Sequence, residues 1–121
     1  MKYGEIWFVN FDAIDDNSDL QASRPVGHEY LKKRPALIIQ SDEQLKITTV
    51  VSIMPMSKSD NCHKDDIRVS KSGKNRLFYD SLVKVHQIQT FDPCRFIHKI
   101  GDIEEEHLEQ VKEYIKKHFG L

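Results

Sequence analysis

The run Arg34-Pro35-Ala36-Leu37-Ile38-Ile39 constrains the fold more than any other part of this 121-residue chain. A short apolar run entered through a proline is typical of a buried strand, so we expect a strand from Arg34 to Gln40. Just before it, Gly27-His28-Glu29 and Lys32-Lys33-Arg34 place an acid, a base and three cations at the mouth of the strand. Such groups on a loop beside a rigid element are typical of a functional site.

The length of the chain predicts a single domain, residues 1–121, with one modest core. The formal net charge is -1, so binding to nucleic acid would depend on a local basic patch. Residues 1–5 contain no apolar core of signal-peptide length, and no apolar run approaches the roughly 20 residues of a membrane span. We therefore expect a cytoplasmic protein without a membrane partner. Cys62 and Cys94 are expected to be free thiols.

Hydrophobic patterning predicts several short strands followed by one helix. Strands are expected at residues 3–11, 34–40, 47–54, 67–69 and 77–87, with a short final strand within 88–96. Ser41 to Lys46 is predicted as a turn, and Pro55 is predicted to end the third strand. This order indicates a mainly β fold, namely a small antiparallel barrel with a C-terminal α-helix packed on it.

The C-terminal segment predicts the helix. Asp102 is the expected N-cap, with Glu105 three residues later, and Gly120 is the expected stop. One apolar face is formed by Leu108, Val111, Ile115 and Phe119.

The sequence does not match the known metal-binding and cofactor-binding motifs. The spacing of Cys62-His63, Cys94 and His98 does not fit a zinc site, and no glycine-rich phosphate loop is present. We therefore expect no metal and no cofactor. A Cys94–His86 nucleophile pair is an alternative, although a thiol is more often an inert packing group.

Polar residues in three separate segments fit the cleavage of a phosphodiester. A base, an acid and cations could let an RNA 2′-hydroxyl attack the adjacent phosphorus. The alternatives are a solvated loop with surface ion pairs and a strand with a polar outer face. The candidates are His28, Glu29, Arg34, Ser57, Lys84, His86 and Gln87.

Three blocks of the sequence resemble one known family. They are Gly4 to Asp12, Val26-Gly27-His28-Glu29 through Arg34 to Ile39, and Asp80-Ser81-Leu82-Val83 through Gln87 to Asp92. In these blocks the chain is similar to the MazF/PemK family of toxin endoribonucleases. The resemblance implies an SH3-like barrel and a homodimer that cleaves single-stranded mRNA without metal, leaving 2′,3′-cyclic phosphate and 5′-hydroxyl ends. It also implies a cognate antitoxin partner.

The same resemblance implies roles for individual residues. It makes Arg34 and Ser57 the catalytic centre, surrounded by His28, Glu29 and His86. RNA contacts are expected from Lys33, Lys84, Gln87, Lys71, Lys74 and Arg76, although a solvated loop explains the last three equally well.

The chain departs from the family pattern in three places. Ser57 stands where threonine is usual, and His86 stands where some relatives have an aspartate. The acidic loop Asp12 to Ser23 is longer than usual, and our hypothesis is that it gates the RNA groove or sets the choice of cleavage sequence. Two rivals remain open: a gyrase-poisoning toxin of the same fold, and a barrel that only binds RNA or a peptide.

Overall fold

The computed structural model describes residues 1–12, 33–58 and 62–121, which form seven strands and two α-helices. The strands are β1 Glu5–Asn10, β2 Lys33–Ile38, β3 Val51–Lys58, β4 Ile67–Val69, β5 Ser81–Val83, β6 Gln89–Phe91 and β7 Phe96–Asp102. The α-helices are α1 Asp42–Ile47 and α2 Glu105–Phe119, and a short 3-10 turn spans Pro93–Arg95.

All pairings among the described strands are antiparallel. The strands lie in the order β4-β5-β3-β2-β1-β7, and β6 pairs with the start of β3. The predicted class, a mainly β barrel-like fold with a C-terminal helix, is confirmed. The described strands do not close the barrel, because β4 and β7 remain the two ends of the sheet.

Strand β3 changes its neighbour part-way along its length. Its pairing with β2 ends at Pro55, which lies opposite Ala36. Its last three residues pair instead with β5, where Ser57 lies opposite Leu82. Pro55 suits this change, because its carbonyl accepts the backbone N–H of Lys84 at 2.9 Å while its own nitrogen has no hydrogen to donate. β2 and β3 therefore diverge beyond Ala36.

Two apolar clusters lie on opposite faces of the sheet, since successive strand residues point to opposite sides. Leu37 and Met54 belong to the first cluster, which also receives helix α2. Ala36 and Ile53, their neighbours along the chain, belong to the second. The edge of this second cluster carries the partly buried aromatic residues Trp7, Phe11, Phe91 and Phe96.

Helix α2 confirms part of the predicted apolar face. Leu108 and Val111 are buried as expected, but Tyr114 is buried in addition, whereas Phe119 is 58% exposed. Gly120 ends the helix with a φ of 70°, a left-handed conformation that glycine adopts without strain.

The predicted N-cap of α2 is wrong. Asp102 is the last residue of β7, and its backbone N–H donates to the Lys74 carbonyl at 3.1 Å. Glu104 occupies the N-cap position instead. The backbone hydrogen bond from Asp102 to the distant Lys74 therefore keeps Asp102 in β7, and the local capping signal does not decide where α2 begins.

Other predicted boundaries also differ from the structure. Residues 42–47 form α1 rather than a turn, because Ser41 Oγ accepts the Gln44 N–H at 3.2 Å as an N-cap. Pro55 lies inside β3 and does not end it. The strand expected at 77–87 is shortened to β5, and β7 was not predicted. No helix in the described ranges combines the length and apolarity needed to cross a bilayer.

The loop of residues 70–80, between β4 and β5, is fastened by the fully buried Asn75. The Asn75 side-chain oxygen accepts the backbone N–H groups of Ser72 at 2.9 Å and Leu77 at 3.1 Å. Its amide donates to the Ser70 carbonyl at 2.8 Å and to the Glu104 carboxylate at 3.2 Å. One buried side chain thus fixes the path of this loop.

Glu104 and Gly101 complete the attachment of the 70–80 loop. Burial works to raise the pKa of the Glu104 carboxyl, but hydrogen bonds from Ser72 and Asn75 hold it below its usual value. Gly101 of β7 lies directly against the Asn75 backbone, where a side chain has no room.

Gly101→Ala is expected to lower the free energy of unfolding by about 3 kcal/mol, since the added Cβ would overlap the Asn75 carbonyl and lie 2.8 Å from the Lys74 oxygen. The matched control is Gly73→Ala, because a Cβ there meets no atom within 4 Å. The control is expected to change stability by less than about 0.5 kcal/mol. Urea unfolding measures both, and equal stability of the two variants would contradict the close contact.

Candidate active site

Strand β2 brings Lys33 and Arg34 to the end of the sheet where β2 and β3 diverge. Arg34 is half-buried, pairs with Val9 of β1, and carries its guanidinium 5.7 Å from the centre of the Phe11 ring. Alternation along β2 puts Arg34 on the same face as Ala36, the face of the second apolar cluster. Lys33 points to the opposite face.

Ser57 lies on the neighbouring strand at the same level. The pairing of Ala36 with Pro55, if continued by two residues, would set Arg34 opposite Ser57. The continuation is interrupted, because Ser57 pairs with Leu82 of β5. The two residues that the sequence predicts as a catalytic centre therefore lie on the facing ends of two strands that have separated.

A cavity of about 250 Å³ occupies the divergence of β2 and β3. Most of its wall is apolar, and cations stand at its edge. Its lining residues include Phe8, Lys33, Ser57, Lys58, Phe78 and Tyr79. Phe8 is stacked on His98, with ring centres 5.5 Å apart, and Lys58 Nζ lies 4.1 Å from the centre of the Tyr79 ring. The site thus combines aromatic surface with positive charge.

Lys84 makes an ion pair away from this cavity. Its Nζ donates to Asp66 Oδ2 at 2.7 Å, and the Asp66 side chain is only 1% exposed. Burial works to raise the pKa of Asp66, but hydrogen bonds from Lys84 and from the His63 backbone lower it below its ordinary value. The contact gives Lys84 a structural role, and its predicted RNA contact stays a prediction.

His86 also faces α2 and the 63–66 segment. Its Nδ1 lies 2.8 Å from the Tyr114 hydroxyl, and its Nε2 lies 3.6 Å from Asp65 Oδ2. The same hydroxyl lies 3.1 Å from His118 Nδ1. Because burial and nearby carboxylates raise the pKa of Tyr114, the hydroxyl keeps its single proton and donates to only one of these two imidazoles. The catalytic role of His86 stays a prediction.

The remaining predicted residues fall into two groups. Lys71, Lys74 and Arg76 are exposed on the 70–80 loop, and Gln87 is exposed in the turn after β5. Arg76 has a φ of 57°, which is uncommon for a residue with a side chain. His28, Glu29 and most of the acidic loop Asp12 to Ser23 lie outside the described residues.

Sequence reasoning missed the aromatic part of the cavity. Phe78 and Tyr79 are 84% and 57% exposed, and they stand beside Lys58 at the edge of the cavity. The available signal was two adjacent aromatic residues inside a loop of polar and charged residues. The 77–87 strand prediction hid that signal, because aromatic residues are common in strands and a strand accounts for them without any site.

Lys84→Met is expected to lower the free energy of unfolding near pH 7 by about 3 kcal/mol, because the buried Asp66 carboxylate loses its cation. The folded-state pKa of Asp66 is depressed below 3.8, so its contribution to stability is present above that value and is lost as pH falls through the folded pKa. Urea unfolding at about pH 2.5 should therefore show a smaller difference from the wild type.

The exposed Lys46 of α1 supplies the control, Lys46→Met, which is expected to change stability by less than about 0.5 kcal/mol at either pH. A loss from Lys84→Met that is the same at both pH values would show that the Asp66 charge is not its cause.

Three solved structures share this architecture. MazF (Form-I) from Deinococcus radiodurans aligns with a TM-score of 0.73 at 16% identity, covering 100% of this chain and 97% of that one. The Mycobacterium tuberculosis toxin MazF-mt6 gives 0.70 at 20% identity, covering 97% of each chain. An endoribonuclease from Mycobacterial species, solved in complex with its cognate antitoxin, gives 0.71 at 12% identity, covering 100% and 96%. At these identities the likeness shows the fold.

Sequence comparison identifies the family. Curated protein sequences give no match to the chain. A family model matches residues 2–119, which is nearly the whole chain, and it describes PemK-like, MazF-like toxins of type II toxin-antitoxin systems. The resemblance drawn from the three sequence blocks is therefore confirmed, and the chain belongs to this family of PemK-like, MazF-like toxins.

Proposed function

We propose that the chain is a sequence-selective endoribonuclease toxin that cleaves single-stranded mRNA without a metal ion. The observation that carries the proposal is the cavity between the diverging ends of β2 and β3. Ser57, Lys33 and Lys58 line it, and Arg34 follows Lys33 on β2 with its side chain on the other face of the sheet. Cations beside a hydroxyl, in a partly apolar cleft, are suited to binding a phosphodiester and stabilising charge that develops on it.

The proposed reaction is a transesterification within the RNA strand. The 2′-oxygen forms a bond to the adjacent phosphorus while the bond from phosphorus to the 5′-oxygen breaks. A general base takes the proton of the 2′-hydroxyl, and a general acid gives a proton to the leaving 5′-oxygen. The products are a 2′,3′-cyclic phosphate and a 5′-hydroxyl. No water, oxidant or metal enters the balance.

Arg34 is assigned to stabilising the charge on the phosphorane, since a guanidinium offers several donors in a fixed plane. Ser57 is assigned to binding a phosphate oxygen through its hydroxyl. His28 and Glu29, outside the described residues, are assigned to substrate handling and proton transfer, and His86 is kept as a further candidate. The 70–80 loop would follow the RNA backbone with its exposed cations, and this charge would act locally because the chain as a whole has a net charge of -1.

A homodimer and an antitoxin complete the proposal. The edge of the second apolar cluster carries four partly buried aromatic residues, a composition that favours a protein interface. The Mycobacterial relative was solved with its cognate antitoxin, which supports an antitoxin that inhibits this chain.

Purified wild-type protein is expected to cleave a long single-stranded RNA in the presence of EDTA, at a restricted set of sites found by sequencing the new ends. Arg34→Ala is expected to reduce the rate by about 100-fold or more, because it removes charge stabilisation from the transition state. Ser57→Thr keeps the hydroxyl and should retain activity that Ser57→Ala loses. Lys46→Ala, a cation of α1 outside the cavity, is the matched control. Cleavage that survives Arg34→Ala, or that requires added metal, would refute the proposed mechanism.

Light scattering of the purified toxin is expected to give a mass of twice the 14.2 kDa of one chain, because the aromatic edge of the second cluster would be buried between two copies. A mass of one chain at micromolar concentration would contradict the homodimer while leaving the cleavage assay unaffected.

A further inference from the structure

The cavity between β2 and β3 has the size and surface of a pocket for one planar group. Its volume of about 250 Å³ is below the roughly 300–1,000 Å³ of pockets that hold drug-sized ligands. Phe8, Pro35 and Met56 supply apolar wall, and the rings of Phe78 and Tyr79 stand at the opening. A single ring system with an apolar face would fill this space, whereas a whole nucleotide would not.

Phe78 is the most exposed aromatic side chain in the described part of the chain, at 84%. The adjacent Tyr79 is also exposed, and neighbouring exposed aromatic residues form an apolar patch of the kind that marks binding sites. Single-stranded RNA is commonly bound by stacking its unpaired bases on aromatic side chains of this kind. Stacking needs only an accessible ring face, and Phe78 offers one.

Two lysines line the cavity together with the aromatic residues. Lys58 Nζ lies 4.1 Å from the centre of the Tyr79 ring, and Lys33 lies on the facing strand β2. A base that enters the cavity is flanked by two backbone phosphates that stay outside it. These phosphates would interact with cations at the edge of the cavity and not with groups inside it. An apolar side chain from a protein partner would contact only the apolar wall of the cavity and would not need the lysines. The pairing of ring faces with edge cations therefore favours a nucleotide.

The loop that presents Phe78 and Tyr79 is held in place before any ligand binds. Asn75 fixes its first half through four hydrogen-bond partners, and Gly101 allows it to lie against β7. In its second half, Asp80 accepts the backbone N–H of Lys71 at 2.9 Å. A loop that becomes ordered only when a ligand binds weakens the binding. This loop is already ordered in the folded protein, so binding does not have to order it.

We propose that Phe78 and Tyr79 form a stacking platform that holds one unpaired RNA base in this cavity, next to the phosphodiester that is cleaved. The inference rests on the proposed function, because Ser57 lines the same cavity and would bind the scissile phosphate beside the stacked base. The base in this pocket is then one of those that set the cleavage sequence. Neither residue is assigned to proton transfer.

The test uses an RNA that binds but cannot react. A fully 2′-O-methylated single-stranded oligonucleotide lacks the 2′-hydroxyl nucleophile, so its affinity reports binding whether or not the protein is a nuclease. Phe78→Ala is expected to weaken this binding by about 5- to 150-fold, the range for loss of one stacked base. Phe119→Ala, which removes a 58% exposed phenyl ring from α2, is the matched control and should change affinity less than twofold.

Two further measurements separate stacking from charge. An oligomer of abasic sugar-phosphates keeps the backbone charge, so Phe78→Ala should leave its affinity unchanged while Lys58→Ala weakens it. Phe78→Trp should bind the methylated RNA and show quenched tryptophan fluorescence, against the constant background of Trp7.

Unchanged affinity of Phe78→Ala for the methylated RNA would overturn the platform. Equal weakening for the base-containing and abasic oligomers would also overturn it. Absence of RNA cleavage by the wild type would refute the proposed function alone, since base-dependent binding is measured without cleavage.

Discussion

The transfer of β3 from β2 to β5 at Pro55 is the constraint on which the rest of the structure depends. If β3 stayed paired with β2 along its whole length, Ser57 would close against Arg34 in the sheet and no cavity would exist. β3 instead pairs its last three residues with β5, so that among the described strands the end of β2 pairs only with β1. The fold thereby opens a site in the middle of a sheet without leaving β3 unpaired.

A site formed by diverging strands needs a fixed third wall, and the 70–80 loop supplies it. The loop has little regular structure, so its shape depends on side-chain hydrogen bonds that satisfy its backbone groups. Asn75 makes three of these bonds from a fully buried position, and Glu104 ties the loop to the start of α2. The same attachment explains why β7 ends where it does, since the Asp102 N–H is committed to Lys74.

The sequence predicts the elements whose signals are local and misses those that depend on distant partners. β2 was predictable because its apolar run follows a proline, and the Gly120 stop was predictable because the left-handed position needs glycine. β7 was missed because bulges in its pairing with β1 disturb alternation in the segment from Phe96 to Asp102. Among the predicted site residues, Ser57 and Lys33 line the same cavity, because β2 and β3 are neighbouring strands. Lys84 instead forms an ion pair with Asp66, which lies 18 residues away in the sequence and is not indicated by any local pattern.

The kind of partner that each lysine finds decides what it can contribute to binding an anion. Lys84 forms an ion pair with Asp66, and Lys99 forms ion pairs with Glu5 and Asp102. At short range these carboxylates cancel the positive charge of the two lysines. The ring under Lys58 positions the ammonium group but leaves its full charge in place. In a chain of net charge -1, a field that attracts an anionic ligand would come from cations held in this second way. Sequence composition counts all of these lysines equally, and only the fold separates them.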